Sequence, residues 1–280
     1  MTGSGGGGSA VLEGAGGGGT VLWEVDRRGV ATVTLNRPEV NNAYNGDLIR
    51  GLHEALDALS PALGLRVLVL RGNGRHFQAG VDLRWLSDIA QQSPAENERV
   101  SRATAETARR LDTLPIPTVA LIQGGCFGGG TGFAAACDVV VAAENAIFSI
   151  SETRWGLMAG IILPQLCQAM GLRQVRRYAL TGERFDAREA MRVGLVHLVC
   201  PADRLADEGA RIVDAVLMNA PGATAATKLR ALSVAEAIVD DGQFRDLVRE
   251  HAATRRGDEA AEGVASFREK RAARWYPGPA

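Results

Sequence analysis

The chain has 280 residues, 46% of them hydrophobic and 22% charged, and a net charge of −1. That is enough apolar material for one sizeable core, and the balanced charge argues against partners recognised through a broad basic field, such as nucleic acid or an anionic membrane. Of 31 basic residues only Lys228 and Lys270 are lysine, neither in a phosphate-loop motif, and Cys126, Cys137, Cys167 and Cys200 stand apart from one another without CxxC spacing, so buried free thiols are expected and no metal site.

Residues 1–20, MTGSGGGGSAVLEGAGGGGT, lack the basic start and apolar stretch of a secretion signal, and they read as a flexible glycine-rich tail. No run approaches the length of a membrane span, and a cytoplasmic protein is expected. VLWEVDRRGVATVTLNRP (21–38) alternates apolar and polar residues around Arg28-Gly29, the pattern of a hairpin. Leu48, Leu52, Leu56 and Leu59 then fall at helical spacing. LRVLVLRG (65–72) predicts a strand, RHFQAGVDLRWL (75–86) a glycine-containing loop that opens a helix, and ERVSRATAETARRLDTL (98–114) an amphipathic helix ended by Pro115 and Pro117. TVALIQGG is again a strand, TGFAAACD a short alanine-rich helix and VVVAAENAIFSI two strands. Beyond Pro164 only VGLVHLVC (193–200) reads as a strand, and 202–272 is helical by periodicity. Repeated β-β-α turns followed by helices define an α/β class with a helical C-terminal part.

Three stretches can carry chemistry. HFQAGVDL (76–83) and GGCFGGGTG (124–132) each follow a strand, carry glycine and lead into a helix, so each exposes backbone N–H groups. Two such donors aimed at one point would hold charge developing on a carbonyl oxygen, although glycine also serves close strand-to-helix packing. FSISETRWGL (148–157) places Glu152 at a strand end, a candidate acid or base. His53-Glu54 does not continue to HExxH, the glycine run at 124–132 lacks GxGxxG spacing because Phe133 stands three residues beyond Gly130, and GxSxG is absent.

With NRPEVNNAYN (36–45), RYALTGERFDAREAMRVGLVHLV (177–199) and FREKR (267–271), these stretches stand in an order and spacing that resembles the enoyl-CoA hydratase/isomerase, or crotonase, superfamily from about residue 20 onward. The resemblance implies the ClpP/crotonase fold: a spiral of β-β-α turns over 21–200 and a helical region over 201–280 that forms a homotrimer or homohexamer. It implies an acyl-CoA substrate and no separate cofactor, coenzyme A being part of the substrate. By motif position the thioester oxygen would sit between the amides of Val81 and Gly129. Ala79, Gly80 and Gly128 would frame that site, Val40, Asn41, Asp82 and Leu83 would line the path of the coenzyme, and Phe267 and Lys270 would meet its nucleotide.

One departure bears on the reaction. Two-carboxylate hydratases of the family carry a glutamate where this chain has Gly132, leaving Glu152 alone. A hydratase in which Glu152 acts alone, or with help from Ser151, Thr131 or a further acid, is the first reading. The likeness is greatest to hydratases of branched glutaconyl-CoA esters, and Gly132 would then widen the acyl pocket. A Δ3,Δ2-enoyl-CoA isomerase with a single glutamate is the second, and an inactive crotonase-like binding protein the third.

Overall fold

A computed structural model describes residues 12–59, 64–219, 221–234 and 241–271. Strands β1 (Leu12–Gly16), β2 (Val21–Val25) and β3 (Val30–Leu35) form an antiparallel meander. Gly29, at φ +81°, closes the turn of the hairpin read at Arg28-Gly29. Helix α1 (Gly46–Ala58) is capped by Asn45, whose side chain accepts from Leu48 N–H, and it buries Leu48, Leu52 and Leu56.

From here the strands pair in parallel, except β9, which runs antiparallel to β8. β4 (Val67–Gly72) lies beside β3, and α2 (Leu83–Ala90) and α3 (Pro94–Asp112) cross over to β5 (Thr118–Ile122) beside β4. β6 (Gly125–Phe127), α4 (Gly129–Ala135), β7 (Val139–Ala143) and β8 (Ile147–Ser149) follow. Then come α5 (Leu163–Met170), α6 (Leu172–Thr181), β9 (Phe185–Asp186), α7 (Ala187–Arg192) and β10 (Leu198–Cys200). A seven-stranded sheet runs β1-β2-β3-β4-β5-β7-β10, and β6-β8-β9 form a second sheet of three.

The unbroken VLVL of β4 has a physical reason: both faces are covered. Leu68 and Leu70 face the main core, while Val67 and Val69 join Val213 of α8 (Leu205–Leu217) on the opposite side. Helices α9 (Pro221–Val234), α10 (Asp241–Thr254) and α11 (Asp258–Arg268) complete the described chain. The fold is the crotonase spiral with a helical C-terminal region.

The tail expected over 1–20 is corrected for residues 12–20; residues 1–11 lie outside those described. Leu12–Gly16 is an edge strand paired with β2, and its glycines serve close approach. A Cβ at Gly14 would overlap the Trp23 indole, and one at Gly51 would lie 2.9 Å from Gly16 backbone. VGLVHLVC is a strand only at its end, because Gly194 at φ +90° turns the chain first. Asp138 satisfies donors, accepting from Thr118 N–H and Oγ1 and pairing with buried Lys228 at 2.7 Å.

Candidate functional site

The loops after β4 and β5 are fastened side by side. Phe77 N–H donates to Gln123 at 2.8 Å, Gln78 N–H to Gly125 at 3.1 Å, and Phe127 N–H to Gln78 at 2.9 Å. The Gln78 side chain accepts from Gly80 N–H and donates to Gly80 C=O, holding Gly80 at φ +89°, a conformation that favours glycine. Tyr44 N–H donates to Gly80 and Asp82 N–H to Tyr44, both at 2.9 Å. Val81 N–H, between two engaged neighbours, donates to nothing among the described residues.

The same holds for Gly129 at the first turn of α4, just past Gly128 at φ +50°. Three glycines here leave little room for a side chain. A Cβ at Gly128 would lie 3.1 Å from Glu152 Oε1, one at Gly129 2.7 Å from Tyr44 Cε1, and one at Gly130 2.5 Å from Gln78 Oε1. His76 braces the same loop, its Nδ1 accepting from Gly125 N–H at 2.6 Å. Burial lowers its pKa, consistent with an unprotonated acceptor.

Glu152 opens a 3-10 turn, Glu152–Trp155, after β8, and Gly156 at φ +67° ends it. Its Oε2 is sealed from solvent without a hydrogen-bond partner among the described residues. Burial pushes its pKa up to about 7. The carboxylate therefore abuts the glycine that precedes the free Gly129 amide.

These groups share a cavity of about 820 Å³. Val40, Ala79, Gly80, Val81, Asp82, Leu83, Gly128, Gly129, Glu152 and Phe267 all line it. Phe267, 54% exposed, sets its ring edge-on against Trp155 at 4.8 Å. Asp82 and Glu152 are the acids of the lining. Asp82 is committed, capping α2 through Arg84 N–H and pairing with Arg37 at 3.2 Å.

Three expected residues stand elsewhere. Asn41, in the left-handed region at φ +55°, lies outside the lining and supports the loop by accepting from Ala79 N–H. Lys270 is exposed beyond α11 and does not line the cavity. Gly132 is the main correction: it is buried within α4, and a Cβ there would lie 2.6 Å from Ile162 Cβ. The space a side chain would take is filled by Ile162, which itself lines the cavity, so Gly132 does not widen the pocket. The Thr131 hydroxyl is also spoken for, donating to Gly128 C=O at 2.6 Å.

Other lining residues escaped the sequence reading. Exposed Arg84, Arg154 and Arg184 stand at the rim, and Tyr44, His251 and Arg255 lie inside. Desolvation raises the Tyr44 phenol to about 12 and holds buried His251 far below its usual value. Arginine is so frequent in this chain that none at the rim stands out by pattern, and Tyr44 and Arg255 meet from opposite ends of the sequence.

Two unpaired amides beside a carboxylate that titrates near neutrality can hold a polarised carbonyl oxygen and move a proton on the atoms next to it. The profile of the family described as enoyl-CoA hydratase/isomerase matches residues 26–277. A Thermus thermophilus protein provisionally named an enoyl-CoA hydratase is 34% identical over 252 residues, 90% of this chain and 99% of its own. A mitochondrial Δ3,5-Δ2,4-dienoyl-CoA isomerase of Dictyostelium discoideum is 30% identical over 256 residues, 88% of this chain and 87% of its own. The crystal structure of an enoyl-CoA hydratase from Shewanella pealeana superposes with a TM-score of 0.75 at 32% identity, covering 91% of this chain and 96% of that one. No helix among the described residues is long and apolar enough to cross a membrane.

Proposed function

The chain belongs to the enoyl-CoA hydratase/isomerase family, and from that premise we propose that it adds water across the C2=C3 bond of an enoyl-CoA thioester. The observation that carries this reading is the Glu152 carboxylate, its Oε2 sealed and without a partner among the described residues, beside Gly128 and in one cavity with the Val81 and Gly129 amides, which donate to nothing among the described residues. The thioester oxygen accepts from both amides, which lie where no side chain intervenes. Glu152 takes a proton from water as its oxygen bonds to C3, the electron pair moves through C2 onto the thioester oxygen, and the resulting enolate is held by the two N–H groups. Glu152 then returns the proton to C2, so one carboxylate serves both halves of the addition. A pKa of about 7 suits that double duty, since the group gives and takes a proton with similar ease near neutrality. Arg84, Arg154 and Arg184, exposed in the cavity lining, are read as the groups that meet the phosphates of the coenzyme.

A second reading has an observation of its own. With position 132 filled by Ile162 and Asp82 committed to Arg37, Glu152 is the remaining acid of the lining. One base suffices to carry a proton between C4 and C2, which is an isomerisation. Incubation with crotonyl-CoA and a 3-enoyl-CoA, following loss of the conjugated double bond and its appearance separately, decides between them. Migration without hydration replaces the first reading by the second, and full activity of Glu152→Gln removes both.

The helices beyond Cys200 are read as the contact between copies in a trimer or a pair of trimers, supported by Met218 at 87% and Leu229 at 43% exposure. Light scattering that gave a monomer at micromolar concentration would overturn this assembly.

A further inference from the structure

Arg255 is a cation in an unusual place. It follows α10, is 2% exposed, lines the cavity, and its two terminal nitrogens have no hydrogen-bond partner among the described residues. Its guanidinium lies 5.8 Å from the Trp85 ring, and no ion pair joins it to Asp82 or Glu152. A guanidinium does not discharge by losing its proton, so the fold carries a buried positive charge with its terminal donors unspent, an arrangement that weighs against folding. Neighbouring groups do not neutralise it. Tyr44 holds its phenol proton, and His251 is neutral and hydrogen-bonded to Ser101 Oγ at 2.8 Å.

The position of this charge indicates its ligand. Tyr44 touches the Gly129 site and meets Trp85 at 6.0 Å between centroids, and Trp85 meets Arg255. The guanidinium thus lies on the far side of the Trp85 ring from Tyr44, set back from the Gly129 amide by these two aromatic rings. The rim arginines are exposed and can serve a hydrated phosphate, whereas Arg255 is reached only from inside the cavity. We propose that Arg255 binds a carboxylate at the far end of the acyl chain, so that the preferred substrate class is the mono-CoA thioester of an unsaturated dicarboxylic acid. A carboxylate matches the free donors in number and plane, and its charge offsets the buried one. This inference rests on the acyl-CoA reading above and adds the chemistry of the acyl terminus to it.

The test is calorimetric binding of two saturated thioesters of matched shape, glutaryl-CoA and its neutral isostere 5-methylhexanoyl-CoA. Binding requires no turnover, so the outcome does not depend on which reaction is catalysed. The wild-type protein is expected to bind glutaryl-CoA tighter by about 100-fold, the scale of a buried charge pair, and Arg255→Met to erase or invert that ratio while Arg255→Lys retains part of it. Equal affinities in the wild type, or a preference unaltered in either variant, would overturn the proposal. Should Arg255→Met fail to fold, the wild-type ratio and Arg255→Lys decide alone. A glutaryl preference in a protein that neither hydrates nor isomerises any enoyl-CoA would sink the catalytic reading and leave this one standing.

Discussion

The cavity has two unlike walls. One, from the loops at 78–82 and 125–129, presents backbone atoms fixed by hydrogen bonds between neighbouring strands, and admits almost no added atom. The other, from α10 and α11 with the residues that follow each helix, presents side chains: His251, Arg255 and Phe267. A backbone donor offers the same N–H whatever residue carries it, provided the chain geometry is held. A side chain changes its chemistry with one substitution. The first wall suits a reaction step shared by many substrates, and the second suits selection among them.

Substitutions that respect or violate this division should differ in size. The largest effect is expected from Glu152→Gln, which keeps the shape against Gly128 and removes the base; kcat/KM should fall about 1000-fold in a hydration assay. Next is Gly132→Glu, which inserts atoms where Ile162 lies. It should cost about 3 kcal/mol or more in chemical denaturation and supply no second catalytic acid. A gain in hydration from this variant would show the packing of α4 against Ile162 to be more yielding than its contacts imply.

A pH effect comes third. The Glu152 pKa rises from 4.5 to about 7 on folding, so its burial is free of penalty below about pH 4.5 and weighs against the fold as pH rises through 7. Glu152→Gln should therefore be the more stable protein at pH 8, by about 2 to 3 kcal/mol, and gain nothing at pH 4. In the wild type kcat/KM should climb with pH through about 7 and level off, since the ionised carboxylate is the base. Smallest is Phe267→Ala on the side-chain wall, which loses the edge-on contact with Trp155. A rise in KM of about fivefold with kcat nearly constant is expected from a contact worth about 1 kcal/mol. A comparable fall in kcat would mean that this wall also positions the reacting atoms.

Much of this arrangement can be read from the chain because its signals are local. The hairpin at Gly29, the helical spacing of Leu48, Leu52 and Leu56, the continuous run of β4 and the strand-glycine-helix order at 76–83 and 124–132 each depend on neighbours in sequence. Where the reading fails, the deciding atoms come from far away. Gly14 resembles linker composition until the Trp23 ring is seen to need its space. Gly132 resembles a vacancy until Ile162 fills it. The short strands β6 and β9 have weak patterns of their own and are held by pairing with β8. Arg255 carries no local mark, since only the folded cavity shows that it is buried and unpaired.

The contact between Gly132 and Ile162 also sets an order on sequence change. The turn that carries Ile162 packs against both α4 and α10, so the two residues share one volume and their substitutions cannot act independently. A carboxylate at 132 is admissible only after residue 162 has become smaller, and shrinking 162 first opens a hole that costs stability until 132 fills it. Gly132→Glu with Ile162→Ala should therefore be less damaging than the sum of its parts. A route from this chain to a two-carboxylate relative passes through that hole or through a paired change, and each glycine retained at 132 keeps Ile162 in its place.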